Sequence, residues 1–322
     1  MRLILARALI AIALSLAAAA QVMAQAFPNR PIRIIVAFGP GGGNELYARV
    51  VGDKLRERLG QPVLVEIKPG ANGNIAGEFV AKSPADGHTM LVAQSGLTML
   101  PWMAKSLPFD VVKSFAPVGI GATVPMVAVV NNNLPVKSIA DLIAYARANP
   151  GKISYAIPGI GSPHHMAVEL LQNLSGTKMV AVPYKGAAAM LTDLMSGEVH
   201  FMIGAMNSAV PFFKADKIRA IGVAERQRVT GFPDIPAVAE TLPGYEVTIW
   251  YGMMAPAGTP EPVVNLLSAE LSAIGKLPDV RDALAKAGIE SNPGSAPEMA
   301  RTIAAEIDKW GKVIRDAGIQ PQ

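Results

Sequence analysis

Gly39-Pro40-Gly41-Gly42-Gly43-Asn44 places a glycine loop between an apolar run, Ile34-Ile35-Val36-Ala37-Phe38, and the start of a helical pattern. Glycines let the backbone turn tightly and let a ligand approach it. The helix that follows adds unpaired N–H groups and the positive end of its dipole. The chemistry this layout offers is binding of a negatively charged oxygen, with Phe38 at the mouth of the loop.

Similar donor-rich turns recur downstream. Gln94-Ser95-Gly96-Leu97-Thr98, Pro158-Gly159-Ile160-Gly161-Ser162 and Pro183-Tyr184-Lys185-Gly186 each follow a short apolar run. Glycine and serine are common in ordinary turns. In an open α/β sheet, however, ligands sit outside the carboxyl ends of the strands, where all of these turns fall. Lys185 either neutralises an acidic ligand or is a solvated surface charge; the sequence leaves both open.

Two enzymatic readings compete. A Rossmann dinucleotide site has its strand, glycine loop and helix here, with Glu66 about 20 residues on as the ribose partner. Asn44, however, stands where the third fingerprint glycine belongs, and no Gly-Lys-Ser or Gly-Lys-Thr of a Walker loop occurs. A serine hydrolase would use Ser162 with His164 or His165. Gly159-Ile160-Gly161-Ser162-Pro163 is not a nucleophile elbow, and Pro163 has no N–H to give an oxyanion hole. His165 and Glu169 are one helical turn apart but have no further histidine at metal-ligand spacing. No catalytic residue, metal site or cofactor is expected.

These loops need a scaffold, and the pattern supplies an α/β one. Apolar runs at 32–38, 63–67, 89–93, 153–156, 179–182, 200–203 and 219–223 read as strands of largely parallel sheets. Between the first two, Leu46, Val50, Val51, Leu55 and Leu59 recur at helical spacing, with Asn44 placed to cap. Helices are expected near 163–174, 187–195 and 208–214, and an extended run at 245–254. Ser138 with Asp141 and Ser295 with Glu298 resemble capping boxes, and Thr259-Pro260 resembles a cap followed by proline. In the last helix Met299, Ile303, Ile307, Trp310 and Ile314 form one apolar stripe. Trp102 and Trp250 are expected in the core.

Residues 1–26 carry Arg2 and Arg7, an apolar run from Ala8 to Ala20 and Ala24-Gln25-Ala26, the features of a secretory signal peptide. The run is shorter than the roughly 20 residues that span a bilayer. Loss of Arg2 and Arg7 lowers the formal charge from +4 to about +2, too little for a nucleic-acid binder. The chain has no cysteine, so disulfides, thiolate metal sites and cysteine nucleophiles are excluded together. A mature chain of roughly 300 residues is large enough to bury a substantial core, commonly in two domains.

The ordered set of motifs resembles the Bug family, the periplasmic receptors of tripartite tricarboxylate transporters. The matching segments are Pro31-Ile32-Arg33-Ile34-Ile35-Val36, Gly60-Gln61-Pro62-Val63, Lys68-Pro69-Gly70-Ala71-Asn72-Gly73-Asn74-Ile75 and Val182-Pro183-Tyr184-Lys185-Gly186. Further on they are Pro233-Asp234-Ile235-Pro236-Ala237-Val238-Ala239-Glu240, Ala255-Pro256-Ala257-Gly258-Thr259-Pro260 and Lys309-Trp310-Gly311-Lys312-Val313-Ile314.

The resemblance implies a monomeric, non-catalytic Venus-flytrap binding protein of the periplasm. Residues 27–125 with 252–322 would form its first domain and 126–251 its second, with crossovers near 124–127 and 249–252. A small carboxylate would lie between them, held by the loop at 39–44 and by the loops at Ser95 and Ser162, and a membrane permease would receive it. A sensor kinase is the alternative partner, and an exported enzyme the remaining one. Family members often carry Thr or Ser, then Asp, after the loop glycines, where this chain has Asn44 and Glu45. They often carry Asp at the end of the central strand, which aligns here with Gly204. Loss of that carboxylate implies a ligand without an amino group, such as a dicarboxylate or an aromatic acid.

Overall fold

A computed structural model describes residues 27–70 and 73–321. The expected signal peptide at 1–26, and Ala71-Asn72 of one family motif, lie outside the described residues.

The first sheet has six strands in the order β11-β4-β10-β3-β1-β2: β1 (Ile32–Val36), β2 (Val63–Ile67), β3 (Thr89–Gln94), β4 (Phe115–Val124), β10 (Ile249–Pro256) and β11 (Glu290–Gly294). The second has five in the order β7-β6-β8-β5-β9: β5 (Met126–Asn131), β6 (Ser154–Ile157), β7 (Val180–Pro183), β8 (Phe201–Ala205) and β9 (Ile218–Val223). Helices flank both sheets. Among the described residues, no helix is long and apolar enough to cross a membrane.

The sheets are mixed rather than largely parallel. β1 pairs in parallel with β2 and β3, as β6 does with β7 and β8, because helical crossovers join those strands. β10 runs antiparallel to β3 and β4, and β5 antiparallel to β8 and β9. These antiparallel pairs belong to the strands that carry the chain between sheets. Pro125 alone separates β4 from β5, so the chain leaves the first sheet and enters the second with no helix between.

Three backbone bonds bind the crossing strands side by side. Ala224 N–H donates to Met126 C=O at 2.8 Å, Val247 N–H to Ala224 C=O at 2.9 Å, and Met206 N–H to Pro125 C=O at 2.8 Å.

The helix after the first glycine loop, α1 (Gly43–Leu59), buries Tyr47, Ala48, Val51 and Leu55. Its N-cap is Gly42 and not Asn44, which lies inside the first turn with its side chain buried and makes no cap. The last helix, Ala296–Asp316, behaves as its stripe requires: Met299, Ile303, Trp310 and Ile314 are buried. Its capping box is complete, with Ser295 N–H donating to Glu298 Oε2 at 2.6 Å and Glu298 N–H to Ser295 Oγ at 3.4 Å. Ser295→Ala is therefore expected to cost about 1 kcal/mol of stability, read as a lower urea midpoint at unchanged slope. Thr259 is one residue early as a cap; the helix Glu261–Gly275 takes Pro260 as N-cap, and the Thr259 hydroxyl donates to Pro256 C=O.

Candidate functional site

Gly39 to Gly42 form an exposed turn leading from β1 into α1. Gly42 has φ −84° and ψ 163°, an extended conformation that aims the following N–H groups outward. Glu45 and Leu46 N–H donate back to Gly42 C=O. Among the described residues, no protein acceptor meets the N–H groups of Gly42, Gly43 or Asn44. They stand at the positive end of a 17-residue helix.

Gly41 N–H is not part of this donor set. It donates to Glu45 Oε2 at 2.7 Å, and Arg49 Nε donates to the other oxygen of Glu45 at 2.7 Å. The Gly41 N–H, and after it Arg49, hold the Glu45 carboxyl below the usual carboxylate range. The loop at 159–162 repeats the device. Gly161 N–H donates to His165 Nδ1 at 3.1 Å, again four residues on. His165 Nε2 lies 3.4 Å from Glu169 Oε1, whose other contacts are the Tyr155 hydroxyl at 2.5 Å and Gln172 Nε2 at 2.9 Å. Burial pushes the Glu169 carboxyl up, but the hydrogen bonds from His165 and Tyr155 outweigh it and leave it ionised. Both glycine loops are thus fastened by a side chain of the helix each one opens. His165 and Glu169 serve this fastening, and among the described residues no group of three or more metal-ligating side chains comes together.

The second loop sits directly beside the first. Asn44 Nδ2 donates to Gln94 Oε1 at 3.2 Å, which joins the loops at 39–44 and at Ser95-Gly96. Ser95 and Asn44 are buried, yet Ser95 Oγ and Asn44 Oδ1 have no hydrogen-bond partner. The Tyr47 hydroxyl is likewise buried and unpartnered. Burial drives the Tyr47 phenol well above its ordinary range and the Tyr251 phenol up to about 12, so both stay neutral. Unmatched polar atoms cost free energy when buried, and those of Asn44 and Ser95 lie on the two joined loops, whereas the Tyr47 hydroxyl packs against Gly121 of β4.

The third loop faces these two from the other sheet. A Cβ placed on Gly96 would lie 4.0 Å from Pro163 Cδ, and one on Gly161 would lie 2.5 Å from Met103 Cε. His164, next to Pro163, has a buried Nδ1 with no partner, and desolvation lowers its pKa to about 4. It is a neutral imidazole at physiological pH. Beside Phe38, a small cavity of about 20 Å³, mostly apolar, is lined by Ala37, Gly73, Leu91, Ala93, Leu97 and Gln94.

The structure thus brings together the loop at 39–44, Ser95, Gly96, Gly161 and Ser162. Gly159 is half-buried at the start of the third loop, and Ser162 Oγ is occupied as the helix cap for His165 N–H. Lys185 is exposed. Gly204 departs from the expectation: a Cβ there would lie 2.4 Å from Met202 Cε, inside the apolar cluster of Val127, Val129 and Met202. The strand ends one residue later, at Ala205, because β8 continues to pair with Met126. The Met202 side chain occupies the space beside Gly204.

Sequence reasoning named Gln94 only as part of its loop and His164 only as a hydrolase candidate, and it missed Tyr47 and Tyr251. The i+4 spacing of Gly41 to Glu45 and of Gly161 to His165 was visible, being close to that of a capping box. The tyrosines carried no such signal.

The family described as the tripartite tricarboxylate transporter family receptor matches residues 47–319 of this chain. The UPF0065 protein of the tcbD-tcbE intergenic region of Pseudomonas sp. strain P51 is 38% identical over 291 residues, covering 90% of this chain and 87% of that protein. Among solved structures, the R. palustris protein Rpa4515 with adipate superposes with a TM-score of 0.78 at 36% identity, over 92% of this chain and 100% of that one. MatC from Rhodopseudomonas palustris with bound malate gives 0.73 at 30% identity, over 89% of this chain and 100% of that one.

Proposed function

Since the chain belongs to the tripartite tricarboxylate transporter receptor family, we propose that it is a periplasmic solute-binding protein that captures a small carboxylate between its two sheets and delivers it to a membrane permease. The observation that carries this reading is the row of free N–H groups at Gly42, Gly43 and Asn44 on the N-terminus of α1. Neutral donors hold an anion through charge-assisted bonds without a buried lysine. Ser95 Oγ and the neutral His164 stand ready for a second polar group of the ligand. Adipate and malate, found with two structural neighbours, are the first candidates.

Capture works by closure. A ligand touching loops of both sheets favours the arrangement in which they face each other, and it shifts the equilibrium only by that difference in affinity. The domains assigned to this motion are 27–125 with 252–322, and 126–251.

A thermal-shift screen of mono-, di- and tricarboxylates, aromatic acids and amino acids tests the reading. A carboxylate present at about 100 times its Kd stabilises by about 2.7 kcal/mol. At least one plain carboxylate is expected to raise Tm in this way. A response to amino acids alone would contradict the proposed ligand class.

A further inference from the structure

Tyr251 packs its ring into the core but leaves its hydroxyl without a role in the fold. It stands opposite Gln94, the last residue of β3, in the antiparallel pairing of β10 with β3. Directly opposed residues share a face of the sheet, and on that face the Gln94 amide accepts from Asn44 Nδ2 at 3.2 Å. Tyr251 therefore rises beside the first turn of α1, at the carboxyl end of a parallel strand. A Cβ placed on Gly43 would fall 2.7 Å from Tyr251 Oη and 3.3 Å from the ring. The phenol thus lies against the donor loop at a point where only glycine leaves it room.

Tyr47, whose ring centroid is 6.0 Å from that of Tyr251, supplies the contrast. Its hydroxyl is enclosed: a Cβ on Gly121 would fall 1.9 Å from Oη, and the residue is 1% exposed. Tyr251 is 8% exposed, and its hydroxyl, unlike that of Tyr47, is not fully enclosed. Among the described residues no group hydrogen-bonds it.

We propose that the Tyr251 hydroxyl is a ligand contact, donating to the carboxylate held by the N–H groups of Gly42, Gly43 and Asn44. This deepens the carboxylate-capture reading, on which it rests, by adding a side-chain donor from β10 to a cradle otherwise made of backbone.

A carboxylate offers about four lone-pair sites on two oxygens, more than a row of N–H groups approaching from one helix end can fill. A hydroxyl on the flank of that row supplies a further proton. Burial pushes the Tyr251 phenol up to about 12, so it is a neutral donor at every pH near 7 and brings no charge of its own into the site. Its bond to an ionised acceptor belongs to the stronger, charge-assisted class. In the free protein the same hydroxyl contributes nothing to stability, because it has no protein partner.

Tyr251→Phe removes the hydroxyl and keeps the ring, and Tyr47→Phe is the control. Succinate, glutarate, citrate and benzoate are titrated calorimetrically into the unsubstituted chain and both variants, and urea unfolding is followed without ligand. For each acid that the unsubstituted chain binds, Tyr251→Phe is expected to weaken affinity by about 10- to 100-fold, with the urea midpoint unchanged or higher. Tyr47→Phe is expected to leave affinity unchanged. Saturating succinate, if bound, should also red-shift the tyrosine absorption of the unsubstituted chain and of Tyr47→Phe but not of Tyr251→Phe, since proton donation shifts a phenol in that direction. Equal affinity in Tyr251→Phe and the unsubstituted chain overturns the contact alone. So does an equal loss in both variants, or a lower urea midpoint in Tyr251→Phe, which would give the hydroxyl a part in the fold instead. Binding of none of these acids to the unsubstituted chain would overturn the capture reading together with the contact, so the two failures are told apart.

Discussion

Gly42→Val is expected to weaken carboxylate binding by a factor of about 10² to 10⁴ while leaving the protein folded. A Cβ at Gly42 meets only Gly39 C=O, at 3.7 Å, and the local φ and ψ are extended, a conformation valine readily adopts. The isopropyl group would cover the donors of Gly42 and Gly43. Each hydrogen bond to a charged group contributes about 1.5–3 kcal/mol, and the loss of two accounts for the predicted factor. Valine is a poorer N-cap than glycine, so a stability loss of about 1 kcal/mol should accompany the change. Calorimetric titration and urea unfolding separate the two effects. Unchanged affinity in the valine variant would remove the loop from the site.

The second large effect lies where elements of the two sheets touch. Gly288 has φ +67°, and a Cβ there would fall 1.9 Å from Asn207 Cβ on the other sheet's helix Met206–Lys214. Asn207 Nδ2 donates to Ala287 C=O at 2.6 Å, so the contact is part of how the sheets meet. Gly288→Ala should impair closure, weakening ligand affinity by at least about tenfold through overpacking of about 1–3 kcal/mol. It should also lower stability through the left-handed backbone, by about 1–2 kcal/mol. Adding Asn207→Gly should recover much of the affinity but none of the backbone strain, which distinguishes blocked closure from general damage. Equal losses in the single and double variants would show that the contact plays no part in capture.

The glycine loops were legible because strand, turn and helix leave a periodic trace in sequence. What the trace did not carry was which donors remain free. Gly41 and Gly161 resemble their neighbours in sequence, yet Glu45 and His165 take their N–H groups, and only geometry reveals it. Asn44 had the residue type of a cap, but the turn closes two residues earlier, and its amide is spent on Gln94. β4 and β5 escaped detection because residues 115–131 are a nearly continuous apolar stretch interrupted by Pro117, Gly119, Gly121 and Pro125, and the fully buried β5 has no alternation. With them went the mixed character of both sheets. At Gly204, likewise, the sequence did not show that β8 runs one residue further, to Ala205, or that Met202 lies beside the glycine.

The position of a bound carboxylate is the most direct test of carboxylate capture by the loop at 39–44. A crystal structure with the acid that gives the largest thermal shift should place carboxylate oxygens within hydrogen-bond distance of the Gly42, Gly43 and Asn44 N–H groups, with the rest of the ligand toward Ser95 and His164. An acid bound tightly elsewhere, with those three N–H groups still unoccupied, would contradict it.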